Sequence, residues 1–139
     1  MSKTIRFGVS LDKELLGVFD KLIKNKKYGS RSEAIRDLIR NDIVDNEWKE
    51  GKKNTIGLIS IVYDHHTRVL QKELTEIQHD YHPNIISATH IHIDHDNCLE
   101  IIIVKGKPLK IKEIADRLIS SKGVKFGKMM VATTGKTIK

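Results

Sequence analysis

Thr89-His90-Ile91-His92-Ile93-Asp94-His95-Asp96-Asn97-Cys98 is the stretch on which the reading of this chain turns. His90 and His92 stand two residues apart among β-branched neighbours, a spacing that on a strand turns both imidazoles to one face and Ile91 and Ile93 to the other. Asp94 to Asn97 has the composition of a turn, so the chain is expected to reverse there and return Cys98, the one cysteine, beside the paired imidazoles. Two neutral imidazoles and a thiolate then converge on one point, which is most of a metal site. His79, on a predicted helix just before the strand, is the candidate fourth donor, and spacing does not say whether it serves its own subunit or a neighbour. Three imidazoles and a thiolate suit zinc in a tetrahedron, or Cu(II) or Ni(II) in a plane.

The plainer reading is a hairpin whose polar face happens to carry histidine, with the cysteine as a small apolar filler. All seven histidines, however, fall between His65 and His95, and that clustering favours the metal site. His65, His66, His82 and His95 are read as solvated side chains or as supports behind a ligand.

Working outward, 139 residues with 39% hydrophobic content fit one ordinary domain or two small ones. No apolar run is long enough to cross a bilayer, and residues 1–10 do not read as a signal peptide. A single cysteine excludes an intrachain disulfide, and the cytoplasm is the expected compartment. The net charge of +7 is concentrated near the start: Lys3 to Arg31 holds eight basic residues against three acidic ones. Such a segment is either a solvated face or a footprint on phosphates.

The pattern in that segment decides between them. Ile5, Phe7, Val9 and Leu11 alternate with Arg6, Gly8 and Ser10, as on a strand. A helix follows with Leu15, Val18 or Phe19, Leu22 and Ile23 as its apolar stripe, closed at Gly29 as a left-handed cap. Ser30-Arg31-Ser32-Glu33 has capping-box spacing for a second helix striped by Ile35, Leu38, Ile39 and Ile43. One strand and two helices cannot cover their own apolar faces. The economical solution is a symmetric dimer whose two strands pair antiparallel over four helices. A two-stranded ribbon fits the DNA major groove, with Arg6, Gly8 and Ser10 facing the bases. Ser30, Arg31 and Ser32 at the start of the second helix would meet phosphates. Ile5-Arg6-Phe7, the Leu15-Leu16 helix and Tyr28 to Asp37 resemble the ribbon-helix-helix repressors.

Beyond Trp48, which reads either as packing between domains or as a cover for the helix end, the predicted order is strand (55–63), helix (67–81), the histidine hairpin, helix (from Pro108) and strand (124–133). That is βαββαβ, a ferredoxin-like split unit. The fold class is therefore α+β, a βαα ribbon-helix-helix unit followed by a ferredoxin-like domain of ACT type. The expected division is 1–48, a linker at 49–54, the second domain at 55–134, and a frayed tail at 135–139.

Taken together, the two halves resemble the nickel-responsive repressors over about Ile5 to Thr134. The resemblance implies a homotetramer, a dimer of dimers, with the ACT-like domains at its centre. It implies one square-planar Ni(II) per subunit, held by His90, His92 and Cys98 with His79 from the partner. It also implies nickel-dependent binding to double-stranded operator DNA of two half-sites, repressing nickel-uptake genes, and a second cation, K+, near Glu33 and Asp37. Gly8 departs from the small hydroxyl residue that many relatives carry in the ribbon. Asp80-Tyr81-His82 replaces a histidine run found in some. Three rivals stand beside this reading: an ACT-like sensor of a small organic ligand or another transition metal, a metal storage protein, and a zinc hydrolase using Glu100 or Asp94 as base. No catalytic spacing supports an enzyme.

Overall fold

The computed structural model describes residues 3–139 and divides them into two compact units, the first ending at Asn41 and the second spanning Asp42–Lys139. In the first, α1 (Lys13–Asn25) is opened by Asp12, whose carboxylate accepts from the Glu14 and Leu15 amides. This N-cap satisfies donors that would otherwise be orphaned at the helix start. The helix closes with paired bonds from Lys27 N to Lys24 O and from Tyr28 N to Ile23 O, both 3.0 Å. This is a Schellman ending, and it puts the left-handed conformation on Lys27, at φ 61°. The cap expected at Gly29 is thus corrected: the chain turns two residues earlier, because those two bonds close on the last carbonyls of α1. Gly29 instead donates its amide to the Glu33 carboxylate at 3.1 Å. Ser30 Oγ accepts from Glu33 N and starts α2 (Arg31–Glu50), while the Glu33 carboxylate takes the Gly29 amide in place of the Ser30 amide of a full capping box.

Residues 5–11 form no ladder within the single chain, and their apolar side chains stand in solvent, Ile5 at 82% and Phe7 at 71% exposure. Leu15, Val18, Leu22, Leu38 and Ile39 are exposed too. Among the described residues of this unit, Ala34 alone is buried. Of its helices α1 is strongly amphipathic, and among the described residues the unit has no interior of its own.

The second unit has an interior. Its four-stranded sheet comprises β1 (Thr55–Asp64), β2 (Ile85–His92), β3 (Asn97–Gly106) and β4 (Val124–Val131), in the order β2-β3-β1-β4 and antiparallel throughout. α3 (Arg68–Asp80) and α4 (Pro108–Ile119) supply Leu70, Leu74, Ile77, Ile111, Ile114 and Leu118 to a core shared with Ile59, Ile61, Ile102 and Val104. α4 lies close on the sheet because a Cβ at Gly57 would come 2.5 Å from Ile111 Cγ2, and one at Gly127 would come 2.7 Å from Ile119. The opposite face is uncovered, and Leu58, Ile101, Phe126 and Met130 line a shallow apolar hollow of about 500 Å³ there.

Trp48 belongs to this unit: its indole N–H donates to Ala132 O at 2.9 Å and its ring packs on the core. Helix α2 runs to Glu50, so the connection to β1 is only residues 51–54, with Gly51 at φ 65°. In the tail, the Thr137 hydroxyl donates to Glu47.

Candidate functional site

The register of the sheet builds the site. β1, β3 and β2 lie side by side, with Tyr63 opposite Cys98 and Cys98 opposite His92, and with Ile61 opposite Glu100 and Glu100 opposite His90. The period of two places Tyr63, Cys98, Glu100, His90 and His92 on one face, the face that α3 and α4 cover. The hairpin turn fixes that register. The Asp94 carboxylate accepts from the amides of Asp96 at 2.9 Å and Asn97 at 2.7 Å and from the Asn97 side chain, and these bonds hold its pKa below the ordinary carboxylate value.

Cys98 is 1% exposed, with its sulfur 3.5 Å from His90 Nδ1. On the other side of that ring, His90 Nε2 lies 3.2 Å from Oε1 of Glu100, itself 1% exposed. Glu100 also accepts from the Tyr63 hydroxyl at 2.9 Å and from Gln78 Nε2 at 2.7 Å. A buried carboxylate met by three partners is fully satisfied. His90 Nδ1 faces both the Cys98 sulfur and, at 3.3 Å, the Tyr63 hydroxyl, while the carboxylate stands at Nε2, where a carboxylate can orient a metal-binding imidazole. Burial, then the hydrogen bond to Glu100, raises the Tyr63 phenol far above its usual range, so it stays a donor. The donor set of one sulfur and imidazole nitrogen on a rigid ladder fits a borderline divalent metal.

His92 stands beside these groups, with its ring edge-on to His65 at 4.9 Å between centroids. His79, near the end of α3, is exposed and its ring stacks on His82. The single chain thus gathers His90, His92 and Cys98 on one face and leaves the fourth candidate donor pointing outward.

In the first unit, Arg6, Gly8 and Ser10 are exposed, and nothing lies within 4 Å of a Cβ built on Gly8. Ser30 and Ser32 are exposed at the start of α2. Arg31 is there too, but its guanidinium forms a two-pronged pair with Asp20, both contacts 2.8 Å. That bond lowers the Asp20 pKa and raises that of Arg31. Glu33 and Asp37 share a hollow of about 350 Å³ with Tyr28, Arg36 and Arg40. Asp37 accepts from the Tyr28 hydroxyl at 2.7 Å.

Comparison with known proteins ties the two units together. Residues 56–132 match the family described as the NikR C-terminal nickel-binding domain, and residues 5–44 match ribbon-helix-helix proteins of the copG family. Nickel-responsive regulators of Geotalea uraniireducens and Nitratidesulfovibrio vulgaris are 53% and 52% identical over 138 residues, 99% of both chains in each case. One from Solibacter usitatus is 48% identical over the full length of both. The chain belongs to the nickel-responsive regulator family.

A solved structure of an uncharacterised Thermotoga maritima protein matches 58% of this chain with a TM-score of 0.53 at 13% identity, which bears on the fold alone. As a member of a family of DNA-binding, nickel-binding regulators, the chain is not an enzyme. Glu100, nominated by sequence as a general base, instead accepts hydrogen bonds from Tyr63 and Gln78 and lies 3.2 Å from His90 Nε2. Sequence reasoning missed Tyr63 and Gln78 as partners of the site. The alternation that puts Tyr63 on the buried face of β1 was legible, but not which residue it would oppose. No helix among the described residues is long and apolar enough to cross a membrane.

Proposed function

We propose that this nickel-responsive regulator binds one Ni(II) per subunit through His90, His92 and Cys98 of one chain and His79 of a second. So loaded, it grips an operator of two half-sites and represses nickel-uptake genes in the cytoplasm. The observation that carries the reading is the thiol of Cys98, buried 3.5 Å from His90 Nδ1 and directly opposite His92 on the ladder. The outward setting of His79 on α3 supports a donor shared between chains. The uncovered apolar face of the sheet supports a tetramer centred on the second units, and the bare stripes of the first unit support pairing of residues 5–11 into a ribbon. Arg6 and Ser10 would then read bases while the start of α2 meets phosphates. A donor from a second chain makes metal affinity depend on how the subunits are arranged, so nickel favours one arrangement through differential affinity. K+ between the carboxylates of Glu33 and Asp37 belongs to the same reading, supported by their common hollow.

The test combines a DNA footprint with nickel titration. Stoichiometric nickel is expected to produce protection at two half-sites that is absent from the metal-free protein. Cys98→Ser should lose both the tight nickel site and its sulfur-to-metal absorption. Nickel affinity and spectrum unchanged in that variant, or a footprint indifferent to nickel, would overturn the proposal.

A further inference from the structure

One basic side chain of the first unit is already engaged. Arg31 opens α2, and its Nε and Nη2 donate to the two carboxylate oxygens of Asp20 on α1, each at 2.8 Å. The two side chains are 56% and 42% exposed, so a ligand from solvent can reach both. A two-pronged fork is also how a guanidinium takes a phosphate, and the two anions therefore compete for one geometry. The stretch from Lys3 to Arg31 holds three acidic residues. Asp12 caps α1 and Glu14 lies in its first turn, where negative charge complements the helix dipole. Asp20 lies beyond that turn and, of the three, alone forms an ion pair among the described residues.

On the reading that the start of α2 meets phosphates, we propose that Asp20 is a brake on sequence-independent DNA binding, competing with the backbone for the Arg31 guanidinium. Phosphate attraction carries no sequence information, and each phosphate neutralised adds about 0.9 to the slope of log affinity against log salt. When a phosphate takes Arg31, Asp20 is left as an uncompensated charge beside the DNA, where it repels the backbone and gathers a cation. The cation released from the DNA is offset by the one gathered at Asp20. Arg31 then adds little to affinity or to salt dependence while Asp20 is present. An operator stands out through its bases, because the attraction shared with every other sequence is held down. The plainer alternative is a strut between two helices, since exposed ion pairs are common and contribute little. A strut, however, has no effect on the salt slope of DNA binding.

Full-length, nickel-loaded protein is titrated into a labelled random-sequence duplex across a range of salt, with fluorescence anisotropy as the readout. Asp20→Asn, which keeps the size of the side chain and removes its charge, is expected to bind roughly 2–10-fold more tightly at low salt. Its salt slope should be steeper by about 0.9. Asp20→Ala should behave alike, so the result does not hang on one variant folding well. Arg31→Ala should weaken the parent protein little, yet erase the gain when combined with either Asp20 substitution. Should the start of α2 meet no phosphate at all, Arg31→Ala would change nothing in any background, and the reading of the preceding section would fail with the brake. Should it meet one that Asp20 does not contest, Arg31→Ala would weaken the parent and Asp20→Asn equally, and the brake alone would fall. Affinity and slope unchanged in both Asp20 variants, or a gain that persists without Arg31, would likewise overturn it.

Discussion

Glu100 is the residue through which the proposed centre would be held. It sits at 1% exposure with Tyr63, Gln78 and His90 around it, drawing on β1, α3, β2 and its own strand. Its carboxylate lies 3.2 Å from His90 Nε2, and that contact helps set the imidazole beside the Cys98 sulfur. Glu100→Gln preserves the shape but removes the charge and offers one fewer acceptor. Nickel affinity, measured by competition with a chelator, should fall by roughly 10–100-fold, with the fold and the sulfur-to-metal absorption retained. Affinity equal to that of the parent protein would mean that His90 needs no orienting partner. Tyr63→Phe should weaken binding less, since Gln78 and His90 remain on the carboxylate.

At the scale of elements, the packing of α4 on the sheet depends on the missing side chain at Gly57. A methyl group there would meet Ile111 Cγ2 at 2.5 Å, with the Trp48 ring at 3.6 Å behind it. Gly57→Ala should therefore destabilise the second unit by about 1–3 kcal/mol, the usual cost of overfilling a packed core, read from urea unfolding. Combined with Ile111→Ala, the loss should be smaller than the sum of the single changes, because the cavity accepts the new methyl; strict additivity would show that the two positions do not touch. Most elements were legible in the sequence because their patterns are local: the alternation around His90, the Asp94 turn, and Pro108 at the first turn of α4. The second strand of the hairpin, expected over Leu99 to Val104, begins earlier, at Asn97, and takes in Cys98 itself. The left-handed residue after α1 was assigned to Gly29 by residue type, whereas Lys27 holds it, since the closing bonds and not the side chain set the position. Residues 63, 78 and 100 are far apart in the chain. What brings them together is sheet register and loop closure, and neither leaves a periodic trace.

For the whole molecule, the decisive property is surface left uncovered. The first unit buries only Ala34 among its described residues, and the second keeps one face of its sheet bare. Apolar area of that kind is stabilised only by burial, at about 25 cal/mol per Å², so folding should be coupled to association. The urea midpoint is expected to rise with protein concentration, as it must when the associated state alone is folded. A midpoint constant across a wide dilution series would mean that each chain folds to full stability alone. The bare stripes of α1 and α2 then bear on the life of the newly made polypeptide. In an unpaired chain, residues 3–41 present the greasy surface that chaperones and proteases recognise. On the proposed pairing, synthesis too slow for copies to meet is expected to leave chains open to clearance, so the gene's output would need a floor before any switch could form.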